Sequence, residues 1–408
     1  IWIKMQIKFK TRYKINNFFL YVFGFFKSLQ FFGSLCVPFY LIRLELSYTW
    51  MFAIETIFSV CVFIFEIPTG IIADKFGRKI SLILGSLLFG FSFLILGFFK
   101  TIPLLIFSQI IGAVGISLIS GADSSLIYEN ANSVGKSQEE ISEIASRYSG
   151  FKTLALLIAF PVGSLFVSSG IMEYKAALGF VFTLTGIGLF VAAFFISFVK
   201  EPTCIEKSFH KTKSSLLENA KGCLQAFINP SLRKISLNYS IISAFTFLMF
   251  WFYQSLLFEN KVDIGWNGFV AAGFNLGASL LLFASGFIQK KIGTKRTIFL
   301  SALIPGLLYI LIFAFYDNLV VILIGIFGIT MSKLFREPIM ITQMNTQIED
   351  KNRATVLSGV SMFSRIITAI FYPLSGLLMD TNPKITYLVV GIATVIVSIL
   401  LKEKNSSN

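Results

Sequence analysis

The stretch Gly70-Ile-Ile-Ala-Asp74-Lys-Phe-Gly77-Arg78-Lys79 is a short, charged interruption between two long apolar runs. A second stretch repeats its layout: Gly286-Phe-Ile-Gln-Lys-Lys-Ile-Gly293-Thr-Lys-Arg296. In each, two glycines stand seven positions apart and basic residues follow, so that Gly70 and Gly77 answer to Gly286 and Gly293. Other landmarks recur at similar spacing. Asp123 aligns with Glu337, Arg147 with Arg353, Lys152 with Arg365, and Pro161 with Pro373. Two halves with matching polar landmarks in apolar surroundings are the mark of a membrane transporter built from repeats.

Composition supports a membrane protein. Of 408 residues, 55% are hydrophobic and 14% charged, whereas soluble domains carry about 25% charged residues. The apolar runs are continuous, with no period-two alternation, which argues against a transmembrane β-barrel. Helical spans of about 20 residues are the natural solution. Twelve are expected, at 15–42, 49–71, 80–99, 103–128, 148–169, 176–199, 235–258, 267–289, 297–316, 319–345, 354–378 and 385–401. The fold class is therefore all-α, with twelve transmembrane helices in two pseudo-symmetric six-helix bundles, 1–199 and 235–408. A cytoplasmic linker, 200–234, joins them. Within it Leu216, Leu217, Ala220, Cys223, Leu224 and Phe227 share one helical face behind Ser214 or Ser215 as N-cap, which predicts an amphipathic helix on the membrane surface. The basic stretch from Lys4 to Lys14 leads into an apolar run longer than a signal-peptide core, so the first span is expected to remain uncleaved.

The net charge of +14 reads as orientation rather than nucleic-acid binding. With the N-terminus inside, 25 of the 35 Lys and Arg fall in cytoplasmic segments and five in external loops. That bias predicts a multi-pass protein of the cell membrane with both termini cytoplasmic. His210 is the sole histidine, and the four cysteines form no CxxC pair. Zinc, disulfide and Ser-His-Asp chemistry have little material here, and no metal or cofactor is expected. A polytopic enzyme would need clustered acids, or His and Cys at a membrane face. No Walker loop occurs either, which points away from direct ATP coupling.

With the loop Gly70 to Lys79 preceded by Glu66-Ile-Pro68-Thr, the chain resembles the major facilitator superfamily across all twelve spans. The stretch Gly121-Ala-Asp123-Ser-Ser-Leu-Ile-Tyr128-Glu129 is similar to its drug-exporting, proton-antiporting branches. That branch usually carries an arginine four residues before the glycine of span four, where Ser108 stands here. Its glycine-rich span-five motif is reduced to Ala159-Phe-Pro161-Val-Gly163-Ser164. The resemblance implies a secondary transporter working by alternating access: proton-coupled efflux of amphipathic compounds, with uptake of a small solute as the alternative. It further implies a gating loop of Gly70, Asp74, Gly77, Arg78 and Glu129, with Asp74 against the start of span eleven and Arg78 on Glu129. The implied partners are a small-molecule substrate, a proton and the lipid bilayer, around a monomer.

Nine ionisable residues lie within the expected spans: Lys27, Glu55, Glu66, Asp123, Lys152, Lys333, Arg336, Glu337 and Arg365. Each is a functional candidate, because a charge in hydrocarbon costs several kcal/mol (~2.5–3.5) unless paired or hydrated. Counting depth at about 1.5 Å per residue pairs Asp123 with Lys152, Glu337 with Arg365, and Lys27 with Glu66. Glu55 finds no cation at its level and becomes a proton-carrier candidate. Lys27, Gln30, Ser34 and Pro38 share one face of span one, predicting a polar cavity stripe. On span seven, Asn238, Trp251 and Tyr253 are candidate substrate contacts, with the aromatic pair placed to stack on a solute.

Overall fold

The structure is a computed structural model that describes residues 2–201, 228–348 and 353–402. The expected surface helix of the linker, 214–227, lies outside the described residues. Those described are helical and contain no strand. Eleven helical segments among them are long and apolar enough to cross a membrane.

In chain order the helices are α1 (Trp2–Lys27), α2 (Cys36–Pro38, continuing as a wider turn Phe39–Arg43), α3 (Tyr48–Phe76), α4 (Arg78–Phe98), α5 (Ile102–Ile119), α6 (Ala122–Asn132), α7 (Gln138–Ser168) and α8 (Tyr174–Ile196). After the linker come α9 (Pro230–Glu259), α10 (Gly265–Phe283), α11 (Ser285–Ile292), α12 (Thr294–Ala314), α13 (Leu319–Asn345), α14 (Arg353–Thr381) and α15 (Pro383–Leu400). Contacts divide the chain into two units, Ile1–Leu35 with Ile57–Thr212, and Cys36–Thr56 with Lys213–Asn408. The later part of span one and the first turns of span two are thus counted with the second unit.

Three expected spans are broken. Span one stops at Lys27 and resumes at Cys36, with turns between. Span four breaks between Ile119 and Ala122, where Gly121 takes φ 79°. Span eight is jointed at Ala284. Several helices also run beyond the apolar run that announced them. α7 begins at Gln138, ten residues before the expected start, because Ser137 and Glu140 form a reciprocal cap. Such a cap satisfies two backbone N–H groups and fixes where a helix starts.

The repeat seen in the sequence is real at the backbone. Gly77 stands at φ 101°, ψ 152° before α4, and Gly293 at φ 85°, ψ 147° before α12. Both occupy a region that only glycine enters readily. The helices that follow use matching close approaches. A Cβ on Gly90 of α4 would stand 3.1 Å from the Gly186 carbonyl of α8, and one on Gly306 of α12 would stand 3.1 Å from that of Gly391 in α15. Small residues at such crossings let helix backbones pack by van der Waals contact where lipid supplies no hydrophobic drive.

Each unit has its own apolar core. The first centres on Leu20, Phe23, Leu82, Leu126, Ile144 and Tyr148. The second centres on Ile235, Ile298, Phe335, Ile339, Met340 and Val360. Large apolar side chains such as Phe91, Phe194, Leu280 and Phe283 point outward, as they do where the surrounding solvent is lipid. In a multi-pass membrane protein, backbone polar groups must be satisfied internally, so the breaks in spans one and four demand explanation.

Candidate functional site: a charge cluster at the broken first span

The gap in span one is built into the first unit by close packing. A Cβ on Gly163 of α7 would collide with the carbonyl oxygen of Phe31. A Cβ on Gly33 would collide with the Phe160 ring. The freed backbone finds side-chain partners. Phe31 N–H donates to Thr185 Oγ1 at 3.1 Å, and the Ser34 hydroxyl donates to the Phe160 carbonyl at 3.3 Å. A broken helix at membrane depth survives only when it is re-satisfied in this way.

Lys27 occupies the last turn of α1 and Asp123 the first turn of α6. Cations are favoured at helix C-termini and anions at N-termini, so both breaks place charges where the helix dipoles support them. Lys27 Nζ stands 2.6 Å from Asp123 Oδ2, with the side chains only 11% and 13% exposed. Tyr148 of α7 donates its hydroxyl to the same Oδ2 at 3.0 Å. Lys27 Nζ also lies 5.6 Å from the centre of the Tyr148 ring. On the same ring, at 5.6 Å, lies the ammonium of Lys152. Lys152 has no carboxylate partner among the described residues. The cluster therefore holds two ammonium groups and one carboxylate.

This arrangement corrects two expected pairs. Asp123 bonds Lys27, not Lys152, and Lys27 is not paired with Glu66. Depth counting treated spans one and four as continuous helices, and both are broken beside the residues in question. Gln30 and Ser34 likewise leave the expected helical stripe and sit in the turns between α1 and α2. Glu55 is not isolated: the Tyr40 hydroxyl donates to its Oε1 at 2.9 Å.

The second unit treats its charges differently. Glu337 faces Lys333, one turn earlier on α13, at 3.9 Å. That cation stands where Arg365 was the expected partner. Lys333 lies over the Phe247 ring at 4.9 Å. Arg336 is 2% exposed. Its guanidinium donates to the Ile298 carbonyl at 2.8 Å, to Ser301 Oγ at 3.3 Å and to Asn238 Oδ1. No carboxylate meets it among the described residues. Asn238 thus gives its carboxamide oxygen to Arg336, and its Nδ2 donates to the Leu401 carbonyl at 3.4 Å. Trp251 and Tyr253 are also committed to packing, at 6% and 0% exposure. Trp251 Nε1 donates to the Tyr372 hydroxyl at 3.4 Å, and Tyr253 packs edge-on against Phe250 and Phe274.

At the start of α4, Arg78 bridges two acids. Its guanidinium lies 2.6 Å from Asp74 Oδ1, and its Nε lies 3.6 Å from Glu129 Oε1. Glu201, just after α8, accepts the backbone N–H of Lys79 at 2.6 Å and so caps the start of α4. Sequence reading passed over Glu201 because nothing local marks a residue 122 positions away as a cap. Tyr148 was passed over because its phenol reads as ordinary core. Gly70 stands in open space, with nothing within 4 Å of where a Cβ would be.

Among the described residues, no group of three or more His, Cys, Asp or Glu could hold a metal ion. Comparison with known proteins supplies the family. The model of the Major Facilitator Superfamily matches residues 18–333 and again 241–406. Among solved structures, the nucleoside transporter NupG aligns with a TM-score of 0.78 at 12% identity, over 94% of this chain and 98% of that one. A mutant of the peptide transporter POT aligns at 0.72 and 16% identity, over 94% of this chain and 93% of that one. A bacterial homolog of the human lysosomal transporter Spinster, inward-facing and unoccupied, aligns at 0.73 and 14% identity, over 95% of each chain. No curated protein matches the sequence.

Proposed function

The chain belongs to the Major Facilitator Superfamily, and from that premise we propose that it carries a small acidic solute through a cell membrane together with a proton. It works by alternating access, as a monomer with both termini in the cytoplasm. The observation that supports this reading is the Lys27–Asp123–Tyr148 cluster, with Lys152 as its surplus cation.

The chemistry follows from who holds Asp123. While ionised, its Oδ2 accepts from Lys27 and from Tyr148. A proton added to that carboxylate cancels its charge and releases the Lys27 ammonium. Lys27 and Lys152 can then bind a carboxylate or phosphate on the solute. Loss of the solute leaves Lys27 to recover Asp123, which expels the proton. Proton and solute are thus linked through one acid, with no further cofactor in the cycle.

Export of amphipathic compounds is a second reading, supported by the aromatic residues Phe247, Phe250, Trp251 and Tyr372 gathered around α9. The burial of Trp251 and Tyr372 within this group favours packing over binding, so it ranks below the first. The deciding experiment reconstitutes the protein in liposomes with an imposed pH gradient. The panel comprises small carboxylates, dipeptides, phosphorylated sugars, nucleosides and lipophilic cations. Proton-driven accumulation of an acidic solute is expected, with Asp123→Asn abolishing accumulation but sparing exchange. Accumulation that survives Asp123→Asn, or flux of lipophilic cations alone, would overturn the proposal.

A further inference from the structure

The pattern Gly-x-x-x-Asp occurs at the end of span two as Gly70-Ile-Ile-Ala-Asp74 and at the end of span eleven as Gly376-Leu-Leu-Met-Asp380. The two acids behave differently. Asp74 bonds Arg78 one turn further on. Asp380 reaches across to the first turn of α3. Its carboxylate accepts the N–H of Tyr48 at 2.8 Å, the N–H of Thr49 at 2.9 Å and the Thr49 hydroxyl at 2.5 Å. Gly376 makes this approach possible, since a Cβ there would lie 2.8 Å from Thr49 Cα.

Three donors on one carboxylate make a charge-assisted cap for a helix whose opening N–H groups would otherwise lack partners. Its position gives it more than a capping role. Residues Cys36–Thr56 group with the second unit, yet the same helix α3 continues from Ile57 in the first. Spans one and two belong by sequence to the first six-span half, so when the halves rock, the contacts that hold Cys36–Thr56 to spans seven and eleven are those that have to part. They are apolar as well as polar: Phe52 packs its ring on Trp251, Phe252 and Tyr372. Besides Asp380, the Tyr48 hydroxyl donates to Ser255 at 2.7 Å, and Val37 N–H donates to Gln254 Oε1 at 2.9 Å.

We propose that Asp380 is a gate-positioning residue: it clamps the start of span two to the end of span eleven in the state seen here, and releases it in the alternate state. By the charge count, this gate faces the outer side of the membrane. The proposal rests on the transporter reading but is tested without any solute.

Spin labels on Trp50→Cys and Lys384→Cys, both at exposed positions, report the separation of span two from the start of span twelve. Cys36, Cys61, Cys204 and Cys223 are first replaced by Ser. In lipid nanodiscs the parent should show one dominant short distance, measured by double electron–electron resonance. Asp380→Asn should raise a longer-distance population about tenfold, the effect of losing one charge-assisted hydrogen bond. Thr49→Val keeps both backbone donors and should give a smaller shift in the same direction. Each variant is checked for monodisperse elution, and Thr49→Val carries the test if Asp380→Asn fails to fold. Distances unchanged in the folded variants overturn the clamp, whatever the flux. A shifted distribution in a protein that moves no acidic solute sustains the clamp and overturns the proposed substrate class instead.

Discussion

The two units bury their cations in opposite ways. In the first, Lys27 meets the carboxylate of Asp123 at 2.6 Å. In the second, Arg336 is more deeply buried but is held by a carbonyl, a hydroxyl and an amide. Asp123 and Glu337 are aligned by the repeat, yet Glu337 meets Lys333 on its own helix, at 3.9 Å. A buried pair that can be opened by one proton suits a coupling site. A guanidinium solvated by neutral dipoles has nothing to exchange, and it suits a fixed joint between α9, α12 and α13.

The largest expected effect follows from breaking the first arrangement. Asp123→Ala leaves the Lys27 ammonium buried without a counter-charge, a loss of about 3–5 kcal/mol. Thermal unfolding of the purified protein reads it, and a melting point equal to the parent's would show that the pair does not bear on stability. Arg336→Met removes a cation that has no acid to strand. Its cost should be about 1–3 kcal/mol, from the Asn238 carboxamide oxygen left unsatisfied. If Arg336→Met proves as damaging as Asp123→Ala, the contrast between the units fails.

The next two changes sharpen the picture of the broken span. Gly163→Ala forces a methyl onto the Phe31 carbonyl and should cost about 1–3 kcal/mol. Gly70→Ala meets open space and should stay within about 0.5 kcal/mol. Similar melting points for the two would mean that the gap in span one relaxes freely. A comparably small effect on stability belongs to Glu129→Gln. Its contact with Arg78 is 3.6 Å long, and the Glu129 side chain is 35% exposed, so solvent screening limits the pair to about 0–1 kcal/mol. Flux, rather than melting, is the measurement to make on that variant. Unaltered flux would remove Glu129 from the gating loop.

Particular residues show how far the sequence could be read. Arg78 and Glu129 were matched in advance through the resemblance to the family, which places a carboxylate for Arg78 at the end of span four. Asp123 and Lys27 were not. Their partners were sought by counting about 1.5 Å per residue along unbroken helices, and the gap at 28–35 invalidates that ruler. The gap carries Gly33 but no proline, and its cause lies in Gly163, Phe160 and Thr185, far along the chain. Trp251 and Tyr253 read as substrate contacts because an aromatic side chain looks the same in sequence whether it lines a cavity or fills a core. Asp380 shares the Gly-x-x-x-Asp spacing of Asp74, but the spacing does not say which helix it caps, since an aspartate that caps a distant helix looks in sequence like a solvated one at the end of a span.

The sequence alone determined the solvent, the helices and the repeat. Hydrophobicity is additive along a span, and the backbone in lipid has few ways to satisfy itself, so local composition suffices for those. The two halves matched because Gly77 and Gly293 demand the same backbone conformation wherever they occur. Tertiary structure decided which acid each buried cation meets, where spans one and four break, and which end of span two is clamped. Those outcomes depend on side chains from separate helices converging within about 3 Å. A displacement of one helical turn, about 5.4 Å, is enough to exchange one partner for another.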